Sequence, residues 1–164
     1  MILTEQQIKE VTSGAVNIVQ EADGIHLYRF TEAQREVYRT IHPEFYAKAL
    51  SAAGMRMEFR TDSKRLFLQV GVSEGSSRTF FSFEVFVDGK RVGCLDNFSE
   101  EELPQYYSGI QAQLGDFSKE FALGTGVKTV TIYLPWSVNA VIREMKLDDG
   151  TFVTPVKREK KLLV

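Results

Sequence analysis

The sequence predicts an all-β fold: two antiparallel sheets packed as a jelly-roll sandwich, with short helices at the N-terminus. Three observations carry this. From Met55 onward apolar residues recur at every second position, the period of a half-buried strand. Turn signals such as Asp88-Gly89 and Asp149-Gly150 cut that region into roughly eight to ten short strands, near the spacing expected of a sandwich or barrel. No helix of about 10–15 residues is legible after residue 55, and a doubly wound α/β fold would interleave several. Twelve Phe and six Tyr beside a single Trp add β-propensity.

The elements follow in order. Thr4-Glu-Gln-Gln7 is a capping box, and Leu3 and Ile8 occupy the staple positions around it, so a helix runs over residues 4–11 and ends near Ser13-Gly14. Ala15–Val19 and Ile25–Phe30 form two short strands around the turn Ala22-Asp-Gly24. Thr31-Glu-Ala-Gln34 is a second capping box opening a second helix. Pro43 suits the first turn of a third, which runs to Leu50 before Gly54. Met55, Met57 and Phe59 alternate with Arg56, Glu58 and Arg60. After a turn at Asp62-Ser63, Leu66, Leu68, Val70 and Val72 share one face. Phe81, Phe83, Val85 and Val87 share another, and Asp88-Gly89 is a type I′ hairpin signal leading into Lys90–Leu95. Residues 96–116 form a long surface excursion. Strands resume at Phe117–Leu123, turn at Gly124-Thr-Gly126 and continue through Val130, Ile132 and Leu134. Pro135 ends that ladder because it has no amide hydrogen. Val138–Leu147 changes parity around Ala140–Ile142, the mark of a bulge, and Thr151–Val156 is the last strand.

The chain has 164 residues, enough for one domain whose core needs no staples. Its 20 basic and 22 acidic residues give a net charge of −2, which offers no basic face for nucleic acid. The basic cluster at 157–161 contains Glu159 and reads as a solvated linker. Cys94 is the lone cysteine, so no internal disulfide forms, and a buried inert thiol is its default state. The N-terminus lacks the basic and apolar regions of a signal peptide, and no window reaches the ~18 apolar residues of a membrane span. A cytoplasmic protein is the simplest expectation, or a secreted one whose leader has been removed.

Candidate chemistry is sparse. Gly71-Val-Ser-Glu-Gly75 matches G-x-S-x-G, but a nucleophile elbow needs a helix after the serine. Here a strand follows, so a Gly/Ser hairpin loop is expected and Ser73 is not assigned as a nucleophile. His26, His42 and Cys94 give no ligand pairs at zinc spacing, and no metal or other cofactor is expected. Asp148-Asp149-Gly150 lacks the alternating oxygen ligands of a calcium loop. Gly124-Thr-Gly126 lacks the Lys-Ser and helix of a phosphate loop. Asn97-Phe-Ser99 is a formal glycosylation acceptor. Trp136 ends a strand at a loop, where binding residues gather. Its indole can stack on a sugar or pack against another domain, with Tyr106 and Tyr107 joining it, although capping its own core is the more ordinary placement.

Ile132-Tyr-Leu-Pro-Trp-Ser-Val-Asn-Ala-Val-Ile-Arg-Glu-Met-Lys-Leu-Asp-Asp-Gly150, followed by Lys160-Lys-Leu-Leu-Val164, resembles bacterial two-domain esterases of the SGNH (GDSL-type) hydrolase superfamily. Gly24-Ile-His-Leu-Tyr-Arg-Phe-Thr31 resembles the entry segment of their N-terminal domains. The resemblance implies a jelly-roll accessory domain over residues 1–156. It also implies that 157–164 is a linker entering a flavodoxin-like catalytic domain, with Leu162-Leu163-Val164 as the start of that domain's first strand. The family's catalytic serine, oxyanion-hole residues and Asp-His pair belong to that second domain, and none maps onto this sequence. The partner implied is the chain's own C-terminal catalytic domain, and the intact protein would hydrolyse acyl esters, carbohydrate esters among them, with a serine nucleophile. A free-standing carbohydrate-binding module is the alternative, and it predicts an exposed platform of two or more aromatics. A third reading uses Ser73 as a nucleophile within this chain. Unpaired outer strands also predict self-association of the isolated chain.

Overall fold

The computed structural model describes residues 1–98 and 112–156. Within them are three helices, α1 (Glu5–Val11), α2 (Glu32–Ile41) and α3 (Pro43–Leu50). The strands are β1 (Thr12–Ser13), β2 (Asn17–Glu21), β3 (Gly24–Tyr28), β4 (Arg56–Thr61), β5 (Arg65–Glu74), β6 (Ser82–Val87), β7 (Lys90–Asp96), β8 (Gly115–Ala122), β9 (Lys128–Tyr133), β10 (Val138–Leu147) and β11 (Thr154–Pro155). One sheet has the order β1-β4-β9-β6-β7, with β11 also on β4, and the other the order β2-β3-β10-β5-β8. Every named strand pair is antiparallel. The fold is therefore the expected all-β sandwich.

Local sequence accounts for most boundaries. Both capping boxes are present: the Thr4 hydroxyl accepts from the Gln7 amide and the Thr31 hydroxyl from the Gln34 amide. Pro43 starts α3, whose N-cap is His42. Asp88 and Gly89 take φ of 48° and 78°, the left-handed pair a type I′ turn requires. The parity change in β10 is a bulge that skips Arg143, so Val138, Ala140 and Ile142 are buried before it and Met145 and Leu147 after it.

Three expectations shift. The first hairpin closes more tightly, with β2 beginning at Asn17 and Gly24 inside β3 rather than in the turn. Gly71–Glu74 is the end of β5 paired with β10, not a loop, and the connection begins at Gly75. The last strand shrinks to Thr154–Pro155, because β1 takes β4 at Arg56–Met57 and leaves β11 only Phe59–Arg60.

The core lies between the sheets. Met57, Phe59, Val85, Phe83, Val130 and Ile132 come from one side, and Leu66, Leu68, Val70, Val138 and Ile142 from the other. Phe81 meets Phe83 and Phe117 edge-on at 5.9 and 5.0 Å. Each such side chain contributes about 1.5–3 kcal/mol on burial. At the far end, Lys128 is buried and donates through Nζ to the carbonyls of Ser63 and Gly124, each at 2.6 Å.

Candidate functional site

The two sheets open toward one end, where β3, β5 and β9 finish and β4, β6 and β10 begin. Pro135 and Trp136 make the crossing from β9 to β10 at that end. The Ser137 hydroxyl donates to the Phe80 carbonyl at 2.7 Å, which fixes the crossing against the segment entering β6. Trp136 is 54% exposed. It does not cap the core, because Leu134 and Val138 on either side fill that role and turn the indole outward.

Phe80, Phe98, Tyr133 and Trp136 wall a cleft of about 310 Å³, with Ser82 and Glu84 on its polar side. Phe80 and Phe98 meet edge-on at 6.0 Å. Tyr133 does the same with Phe86 at 5.6 Å. The Arg78 guanidinium lies 5.1 Å from the Trp136 ring centre and 6.0 Å from that of Phe80, within cation–π range. Glu84 accepts from the Arg91 side chain and from the Ser82 hydroxyl. The Arg91 hydrogen bond holds its carboxyl below the usual range.

Asn97 ties these loops together. Its Oδ1 accepts from the Phe81 amide, and its Nδ2 donates to the carbonyls of Thr79 and Gln113 at 2.9 and 2.7 Å. An amide nitrogen so committed is a poor glycan acceptor, so Asn97 serves as a staple. Tyr106, Tyr107 and Ser99 lie outside the described residues, as does the segment 157–164 with its terminal Leu-Leu-Val.

A second apolar patch stands at the same end. Helix α2 buries none of its residues. Val37, Ile41 and Phe45 are 55, 58 and 49% exposed. The hairpin of α2 and α3 is held by its other side chains. Phe30 packs on Tyr38 at 5.2 Å, Arg35 lies 3.7 Å over the Tyr28 ring, and Arg29 donates to the Lys48 carbonyl and the Ser51 hydroxyl. Between the patches is a polar hollow of about 270 Å³ lined by Glu44, Lys48, Glu74, Ser76 and Thr79.

The remaining candidates are accounted for locally. The Ser73 hydroxyl accepts from Asn139 Nδ2 at 3.1 Å. His26 sits on β3 and Ser73 on β5, with β10 between them; two strand spacings put their backbones about 10 Å apart, so they form no dyad. His42 Nδ1 accepts from the Glu44 amide at 3.2 Å. Asp148 accepts from the amides of Lys64 and Arg65, the Ser63 hydroxyl and the Arg65 side chain, and the Arg65 hydrogen bond lowers its carboxyl to about 2. Gly124 and Gly126 have φ of 78° and 80° in a turn. The Cys94 thiol is half-buried, pushed up by burial, and donates to Asp96.

One grouping was not anticipated from the sequence. Glu21, Asp23 and His26 bring three potential ligand atoms within 4.8 Å of one another. His26 Nε2 lies 2.7 Å from Asp23, and this hydrogen bond keeps the Asp23 carboxyl below its usual range. Arg143 pairs with the same carboxylate at 3.3 Å and with Asp116 at 3.1 Å. A hydrogen bond from His26 and the charge of Arg143 thus already answer Asp23. Glu21 accepts from the Tyr28 hydroxyl at 2.8 Å, and burial with this bond raises the Tyr28 phenol.

No protein-family model matches the chain, and no curated protein matches it significantly. Among solved structures it is similar to the salicylyl-acyltransferase SsfX3 from a tetracycline biosynthetic pathway, with a TM-score of 0.69 and 17% identity over 91% of this chain and 40% of that one. It is also similar to a protein assigned as a GDSL-like lipase from Bacteroides ovatus, with a TM-score of 0.61 and 17% identity over 98% of this chain and 44% of that one. At such identity the likeness is one of fold. The chain spans less than half the length of either neighbour.

Proposed function

We propose that this chain is the non-catalytic sandwich domain of an SGNH (GDSL-type) ester-cleaving protein, and that it docks a catalytic domain on the end surface carrying α2, α3 and Trp136. The observation that carries this is the pair of exposed apolar patches at one end, Val37-Ile41-Phe45 and the Trp136 cleft. Grouped apolar exposure of this kind marks an interaction surface. The fold likeness adds support, since it takes in nearly all of this chain and leaves more than half of each neighbour beyond it. The direction of β11 is consistent: the Val156 amide donates to the Glu58 carbonyl as the chain runs along β4 toward that end. In this reading the helical patch makes the contact. Trp136 borders the entrance to the partner's active site, whose serine cleaves acyl esters, with carbohydrate as one carrier.

Exposure of Tyr133 (43%) beside Trp136 favours a second reading, that the cleft itself binds carbohydrate. An aromatic face wide enough for a sugar ring is the platform such modules use.

Two measurements test the first reading. The reading frame continued past Val164 is expected to encode a Gly-Asp-Ser block within a few residues, and a stop codon there overturns it. The purified chain is expected to hydrolyse p-nitrophenyl acetate only at the background rate. Hydrolysis above background that Ser73→Ala abolishes would move the chemistry into this chain.

A further inference from the structure

We infer that the Trp136 cleft selects a sugar ring bearing a carboxylate, a uronic acid residue of an acidic glycan, and that Arg78 makes the selection. This rests on the reading of the cleft as a carbohydrate site and narrows its ligand class.

The argument is an account of polar groups. Glu84 is taken by Arg91 and Ser82, and the Phe80 carbonyl by Ser137. The Ser82 and Ser137 hydroxyl protons are spent in those same bonds. Among the described residues the groups left without a hydrogen-bond partner are the Trp136 indole N–H, the Tyr133 hydroxyl and the Arg78 guanidinium, which has no carboxylate beside it. The indole and the guanidinium can only donate, and the phenol can donate or accept. A neutral sugar presents hydroxyls that bring a donor with every acceptor. A carboxylate brings acceptors only, together with the negative charge that answers a guanidinium.

Geometry agrees with the chemistry. Arg78 lies over the Trp136 ring, 5.1 Å from its centre, and 6.0 Å from the centre of the Phe80 ring. The guanidinium thus stands beside two rings that line the cleft, and its planar fork suits bidentate contact with a carboxylate. A ring packed on the exposed indole therefore carries its substituents against that fork. Lysine would supply the charge without the planar fork or the stacking.

The chain has one tryptophan, so its tryptophan emission, excited selectively, reports on this cleft. Titrations would compare galacturonate oligosaccharides, neutral xylo- and gluco-oligosaccharides of the same length, and benzoate as a carboxylated ring that is not a sugar. The expected result is a saturable change with galacturonates at tenfold or greater affinity over the neutral sugars, weakening as salt rises. In Arg78→Gln that preference is expected to vanish, with residual binding equal for acidic and neutral sugars. Arg78→Lys is expected to restore only part of it. Arg78 is exposed, so both variants should melt with the parent. Neutral sugars binding as tightly as acidic ones would overturn the selection while leaving the carbohydrate site standing. Benzoate matching galacturonate would overturn the sugar assignment, and silence toward every glycan would remove the underlying carbohydrate reading.

Discussion

Gly75→Ala is a sharp test of why the G-x-S-x-G segment carries its glycines. Gly75 is buried where β5 leaves the sheet. A β-carbon there would lie 2.6 Å from the Asn139 nitrogen and the Val138 carbonyl carbon, and 2.8 Å from the Val138 Cα. All three are backbone atoms of β10, so relief requires moving a strand that also pairs with β3. Overpacking of this kind costs about 1–3 kcal/mol, or a fall in melting temperature of roughly 2–12 °C for a domain of this size. Gly71 is the internal control. The three atoms nearest its added β-carbon would all be in the guanidinium of Arg143, from 2.7 Å, the far end of a flexible side chain. Arg143 can swing aside, giving up its contacts with Asp116 and Asp23, and such exposed pairs are worth about 0–1 kcal/mol. Thermal unfolding followed by circular dichroism should therefore separate the two variants, with Gly75→Ala clearly the lower. Equal melting temperatures, or the reverse order, would refute the close-approach argument and reopen a catalytic role for the motif.

Three further outcomes are expected. Lys128→Met leaves the buried Ser63 carbonyl without its donor, at about 1–3 kcal/mol; an unchanged urea midpoint would contradict this. Asp148 is held at about 2 in the folded protein, below the ~3.9 of an unfolded aspartate. A depressed carboxyl stabilises fully above the unfolded value, and that contribution is lost as pH falls from about 4 through 2. Melting temperature followed from pH 6 to 2 should thus fall less steeply in Asp148→Asn, and parallel curves would show that the Arg65 contact does not stabilise the fold. Val37→Glu with Ile41→Glu should change stability by no more than about 0.5 kcal/mol per site, because both side chains already face water. A large loss by chemical denaturation would mean that this helix face belongs to the core.

Much of the fold was legible because its determinants are local. A capping box spans four residues, a type I′ turn needs two of them with positive φ, and strand faces follow a period of two. The parity change in β10 even located the Arg143 bulge to within a residue or so. What failed was decided by competition between distant segments. Gly71–Glu74 looks like a loop from its glycines and serine, yet β10 pairs with each of these residues. Thr151–Val156 could have been a longer strand, but β1 already occupies the adjacent stretch of β4. Neither outcome is written in the segment itself.

The site was less legible than the fold for the same reason, in stronger form. Trp136 stood out as the single tryptophan at a strand end. Its surroundings did not, since Arg78 and Phe80 reach it from the β5–β6 connection and Phe98 from the segment after β7, which only the sandwich brings to the end of Tyr133's strand. The sequence pattern could have flagged one further feature, the helix over 32–41. Its apolar residues Val37 and Ile41 recur at helical spacing, and that period alone suggests a face meant for burial. The structure leaves that face open, next to the cleft, while the same hairpin's Tyr28, Phe30, Arg29 and Arg35 contacts anchor it firmly. A helix so well tied down, yet presenting valine, isoleucine and phenylalanine to water, is better explained by a surface awaiting a partner than by a loosely packed excursion. That is why the proposed accessory role rests on the helix face more than on any single polar residue.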